Sequence, residues 1–136
     1  MARFSFTQAD SRYGDASLMP LLPLQLVYRD QSVSTTGLLD TGATVNVLPY
    51  RVGLELGAAW NDSDSPIRLT GNLAHFDAHA LVVRTVVAEY QPVNLIFAWT
   101  RAENAPLILG HVNFFAEFDV CFFRSRLSFE VQPKKS

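Results

Sequence analysis

A single cysteine, Cys121, stands in the whole chain. No intrachain disulfide can form, and such usage fits a reducing compartment. Basic residues are few: Lys and Arg number 11 against 13 acidic residues. They cluster only at Lys134-Lys135 and at Arg124 and Arg126, so no basic stripe points to nucleic acid. Long apolar runs are missing too. The most apolar early segment, Leu18 to Tyr28, is broken by Pro20, Pro23 and Gln25 and is too short to span a bilayer. The opening Met1-Ala2-Arg3-Phe4-Ser5-Phe6 lacks the continuous apolar region of a secretory signal. These absences predict a soluble, cytoplasmic protein whose partners are neither nucleic acid nor membrane. Internal repeats and low-complexity segments are absent as well.

What is present is a globular composition, 49% hydrophobic and 18% charged, with ten Phe among 136 residues. That length fits one domain with a sizeable core. The predicted layout is an N-terminal arm over 1–17, a domain over 18–131 and a polar tail over 132–136. Phe4 and Phe6 alternate with polar neighbours, so the arm either docks as a short strand or stays loose. Leu22, Leu24, Leu26 and Tyr28 share one strand face, and Val33 to Leu39 follows as the second arm of a hairpin. Pro49 to Gly57 reads as one short helix, with Pro suited to its start and Gly to its stop. Gly71-Asn72 suits a hairpin tip ahead of a long extended run, Leu73 to Val87. His75, Asp77 and His79 fall on one face of that run and read as a solvated face rather than a metal site. Val93 to Phe97 and Pro106 to Leu109 are further strands, and His111 to Phe118 is a second short helix. Asp119 to Phe123 and Leu127 to Val131 close the chain as a hairpin in which Cys121 reads as a buried, inert thiol. Many short strands and two short helices make the class mainly β.

The chemistry concentrates in Leu38-Leu39-Asp40-Thr41-Gly42-Ala43-Thr44-Val45. A carboxylate inside an apolar run is costly unless something uses or pairs it. Gly42 allows a backbone turn that a Cβ would forbid, and Thr41 carries a hydroxyl that can brace backbone. The local picture is a strand ending in a tight turn that presents Asp40. A plain Asx-type turn is the alternative.

Asp40-Thr41-Gly42-Ala43, the helix after Leu48-Pro49, the Gly71 hairpin, and Leu107-Ile108-Leu109-Gly110 followed by a helix occur in the order found in retropepsin-like aspartic proteases. The chain resembles that family from Leu22 to Val131, and its closing hairpin is more similar to bacterial and cellular members than to viral ones. The resemblance implies a mainly β acid-protease fold: a closed, barrel-like half with a flap hairpin and one or two short helices. It implies an aspartic endopeptidase with no cofactor or metal, in which Asp40 is catalytic, Thr41 braces across a two-fold axis and Gly42 leaves room for substrate backbone. Ala43, Thr44 and the flap residues Gly71 and Asn72 would touch a protein or peptide substrate. Ile108, Leu109 and Gly110 would lie behind the turn as support. Trp99 is a candidate pocket wall, with core packing as its alternative.

Such chemistry needs two carboxylates sharing one proton, and this chain has a single Asp-Thr-Gly and no Asp-Ser-Gly. The second acid would therefore come from Asp40 of a second copy, in a C₂ homodimer. Viral members carry an acidic residue and an Arg where this chain has Thr44 and His111, so their ion pair has no counterpart here. The competing reading is a non-catalytic module using the same fold to dimerise or to bind peptide.

Overall fold

Leu22, Leu24 and Leu26 are buried while Pro23 and Gln25 face outward, as a half-buried strand requires. The computed structural model containing this strand describes residues 1–9, 17–62, 66–69, 77–102 and 104–135. Its elements are β1 (Ala2–Ser5), β2 (Thr7–Gln8), β3 (Leu18–Met19), β4 (Leu21–Tyr28), β5 (Gln31–Leu39), β6 (Asn46–Pro49) and α1 (Tyr50–Glu55). They continue with β7 (Ala78–Val86), β8 (Val93–Thr100), β9 (Ile108–Leu109), α2 (Phe114–Glu117), β10 (Phe118–Phe123), a 3₁₀ turn (Arg124–Arg126) and β11 (Ser128–Pro133). The chain is mainly β, and six strands close a barrel in the order β4-β5-β9-β6-β8-β7.

The position of β9 decides where the site falls. It pairs parallel to β5, with Leu38 beside Ile108 and Leu39 beside Leu109. On its other edge it pairs antiparallel to β6, with Val47 beside Ile108. The ends of β5 and β9 and the start of β6 therefore meet at one end of the barrel, where Asp40 and Gly110 follow their strands and Val45 precedes β6. Leu22, Leu26, Leu48, Leu95, Phe97 and Leu109 fill the interior with no exposure. Each such side chain contributes about 1.5–3 kcal/mol of burial. Phe114 of α2 stacks on Phe118 at 4.9 Å between ring centroids and extends this core.

The N-terminal arm docks. β1 pairs with β11, and β11 with β10, in a three-stranded antiparallel sheet. Phe4 lies opposite Phe129 with ring centroids 5.4 Å apart. The Tyr90 hydroxyl accepts from Ala2 N at 2.7 Å and donates to the Val131 carbonyl at 2.8 Å.

Several expectations need correction. The second helix is shorter than His111 to Phe118, because His111 and Val112 donate their N–H groups to Ala43 O and Thr44 O instead of entering a helix. β11 runs on to Pro133, past the point where the apolar alternation ends. Cys121 is exposed, because Val120 and Cys121 point to opposite faces of β10. His79 is not on a solvated face: it is buried and stacks on Trp60 at 4.2 Å. Gly53 is explained by packing: the Trp99 indole lies so close that an added Cβ would come within 2.2 Å of it. Gly71, Asn72 and His75 lie outside the described residues. No helix among the described residues is long and apolar enough to cross a membrane.

Candidate active site

The end of β5 delivers Asp40 because Leu39 on one side and Leu109 on the other are locked in the core. Asp40 N donates to Leu109 O at 3.1 Å, one rung beyond the Leu38 N to Leu107 O bond of 2.9 Å. Past that rung the chain reverses. Ala43 N donates to Asp40 O at 3.1 Å, and Gly42 N donates to Asp40 Oδ1 at 2.9 Å. The Asx-type turn is thus real, and it fixes one carboxylate oxygen.

Asp40, Gly42, Ala43 and Thr44 form one side of a cavity of about 160 Å³; Val45, Val47, Leu69 and Ile108 form its apolar side. Of the residues singled out from the sequence, Asp40, Gly42, Ala43, Thr44 and Ile108 come together here. Ile108 is a correction: it lines the cavity instead of lying behind the turn. Consecutive strand residues face opposite ways, so Leu109 is fully buried while Ile108 is half-buried. Trp99 is a second correction. It is 2% exposed, stacks on Tyr50 at 5.6 Å, and donates from Nε1 to Tyr50 O at 3.1 Å. It is core and does not line the Asp40 cavity. Among the described residues no second carboxylate lines that cavity.

Gly110 sits directly beneath the turn. An ideal Cβ built there would lie 2.5 Å from Val45 O and 2.8 Å from Ala43 O. Only glycine allows this approach. Above it, His111 N donates to Ala43 O at 3.0 Å and Val112 N to Thr44 O at 2.9 Å. The His111 ring reaches Thr41 O with Nε2 at 2.7 Å. A carbonyl oxygen only accepts, so Nε2 carries the proton in that contact. His111 thus braces the turn directly.

A buried amide ties these pieces to the barrel. Asn46 is fully buried. Its Oδ1 accepts from Gly110 N at 2.8 Å, and its Nδ2 donates to Ile96 O at 3.0 Å and to Asn113 Oδ1 at 3.2 Å. Asn113 Oδ1 also accepts from Ile96 N at 2.9 Å, and its Nδ2 donates to Asn94 O at 3.0 Å. Sequence reasoning passed over Asn46 and Asn113. The signal was a lone amide inside the apolar run Val45-Asn46-Val47-Leu48; a buried polar group must find partners. Val45, Val47 and Leu69 were also passed over as cavity walls, because only the folded chain brings them to Asp40.

Comparison of the chain with protein-family models and with curated proteins gives no match. The functional reading therefore rests on this geometry: a turn-mounted carboxylate, braced from behind, at the edge of a small apolar cavity.

Proposed function

We propose that the protein is a retropepsin-like aspartic endopeptidase, active as a homodimer in which two Asp40 side chains face each other. The observation that carries the reading is Asp40 itself. It sits on an Asp-Thr-Gly turn held by Leu109 and Gly110, and it lines an apolar cavity with Ile108 and Val47.

With two carboxylates close together, like-charge repulsion leaves one protonated and one ionised. The ionised Asp40 takes a proton from a water held between them. The oxygen of that water attacks the peptide carbonyl carbon while the protonated Asp40 donates to the carbonyl oxygen. The resulting gem-diol collapses, the C–N bond breaks, and the nitrogen leaves as an amine after receiving a proton from the dyad. The reaction written this way needs no metal and no covalent intermediate. Gly42 keeps the space beside Asp40 open, since a Cβ there would meet only Asp40 Oδ1, at 3.2 Å. Val45, Val47, Leu69 and Ile108 supply an apolar seat for a substrate side chain.

The joint between copies has a natural candidate in β10, which is an edge of the three-stranded sheet. Edge strands are templates for pairing. The inner face of that sheet is already used: Phe129 and Val131 are fully buried in their own chain.

The test is cleavage of a mixed peptide library from mildly acidic to neutral pH, with Asp40→Asn as the comparison. Loss of one acid/base group costs about 10²–10⁴-fold, so the variant should be near background. Activity per chain should also fall on dilution, as a shared site demands. Cleavage that survives Asp40→Asn rules the reading out. Binding of a statine-type transition-state mimic that depends on Asp40 supports it, and peptide binding without cleavage at any pH points to the non-catalytic module.

A further inference from the structure

A second cavity, of about 400 Å³, lies one rung back along the same ladder. Leu38 lines it, two residues before Asp40, together with Leu107, whose carbonyl accepts from Leu38 N. At the next rung, Asp40 N to Leu109 O, Asp40 lines the first cavity. The two cavities are thus neighbours on one strand pair. An extended peptide advances roughly 3.3 Å per residue, so a chain lying over Asp40 reaches this second space within a few residues.

The outer wall comes from the N-terminal arm. Gln8, Ala9 and Met19 line the cavity, and β2 and β3 are held together beside it by Thr7 opposite Met19 and by the Ala9 N to Ser17 O bond of 2.9 Å. The opposite wall carries Arg51, on the exposed side of α1. Among the described residues, Arg51 is the only charged one lining the cavity, and it has no ion-pair partner. The rest of the described lining is apolar or uncharged.

We propose that this cavity is a second substrate subsite, selecting a peptide with an acidic side chain a few residues from the scissile bond, with Arg51 as the specificity-determining residue. The proposal rests on the endopeptidase reading for its substrate class. A guanidinium offers two parallel donors to a carboxylate, and the apolar wall formed by Leu38, Leu107 and Met19 takes the methylenes that precede it. A lysine-bearing peptide meets repulsion in the same place, which supplies discrimination as well as attraction.

The experiment uses the full chain and a cleavable reference peptide in which Glu, Gln or Lys is scanned through three positions on each side of the cleaved bond. At one position the wild type should cleave the Glu peptide about three- to tenfold faster, in kcat/KM, than the Gln peptide, as a partly exposed charge pair allows. Arg51→Glu should abolish that preference and favour Lys; Arg51→Gln should level the three. In parallel, reduced-bond versions of the same peptides, which cannot be cleaved, are titrated by fluorescence anisotropy. Thermal unfolding checks that both variants remain folded; at an exposed side chain without a partner they should. A Glu-to-Gln ratio unchanged in Arg51→Glu, in cleavage or in binding, overturns the subsite. An Arg51-dependent acid preference in binding without any cleavage removes the protease reading and keeps the subsite. Absence of any acid-dependent binding overturns the proposal outright.

Discussion

Gly110→Ala is the sharpest test of how the turn is held. The added Cβ would sit 2.5 Å from Val45 O, and 2.8 Å from both Ala43 O and Val45 C, where ordinary contact begins at 3.4 Å. All three neighbours are backbone, so no side chain can swing aside. To make room, the 43–45 segment must retreat by about 0.9 Å, the difference between 3.4 and 2.5 Å. That displacement would break or badly stretch the bonds from His111 N to Ala43 O, from Val112 N to Thr44 O and from Asn46 N to Val112 O, now 3.0, 2.9 and 2.9 Å. Each is worth about 0.5–1.5 kcal/mol net, and overpacking adds about 1–3 kcal/mol. A total near 4 kcal/mol is a large share of the roughly 5–15 kcal/mol that a domain has. In urea, where slopes run about 1–3 kcal/mol/M, the unfolding midpoint should fall by about 1.3–4 M. Gly37→Ala is the control: the three atoms nearest its Cβ belong to the Leu107 and Leu109 side chains, at 2.8–2.9 Å, all farther than Val45 O is from a Gly110 Cβ and none of them backbone, so the cost should be smaller. If Gly110→Ala unfolds within about 0.5 kcal/mol of wild type, or no lower than Gly37→Ala, the close-approach argument is wrong.

Asn46→Ala strands a buried Gly110 N–H and removes both Nδ2 bonds. It should cost about 2–4 kcal/mol in chemical unfolding, and a loss below about 1 kcal/mol would mean that water replaces the amide. Gly53→Ala gains about 1 kcal/mol of helix propensity yet should be net destabilising by about 1–2 kcal/mol, because the indole it meets is held by Tyr50; thermal unfolding followed by Trp fluorescence reads the sign. Cys121 is the only thiol, exposed on the edge strand. If β10 joins two copies antiparallel, a short bis-maleimide should capture a covalent dimer that Cys121→Ser does not form. A dimer seen by sedimentation that never cross-links would move the joint elsewhere.

The fold was legible where period and chemistry agreed. The alternation through Leu22, Leu24 and Leu26, the Pro49-to-Gly57 helix and the reversal at Asp40 are local patterns, each settled by neighbours in sequence. What stayed hidden were contacts between distant segments. Trp99 against Gly53, and Asn46 against Gly110 and Asn113, depend on β9 sliding between β5 and β6, and no periodicity records that insertion. Cys121 and Ile108 were misassigned for a related reason. In a two- or three-residue apolar stretch the side chains alternate, and only the position of the sheet decides which one faces in. Asp40, Gly42, Ala43 and Thr44 were legible together because they occupy one turn. Val45, Val47 and Leu69 were not, because barrel closure brings them there.

The pairing of β1 with β11 bears on how the chain comes off the ribosome. Arg3 and Glu130, joined by a charge-assisted hydrogen bond, are separated by 127 positions, so β1 is made long before the strand it pairs with. Until then Phe4 and Phe6 have no Phe129 to pack on, and the Tyr90 hydroxyl lacks both of its backbone partners. Contacts of such long separation also carry the largest loop-closure cost in refolding. Tyr90 therefore acts as a latch set late: the barrel strands can assemble around it, and it engages only when β1 and β11 arrive side by side.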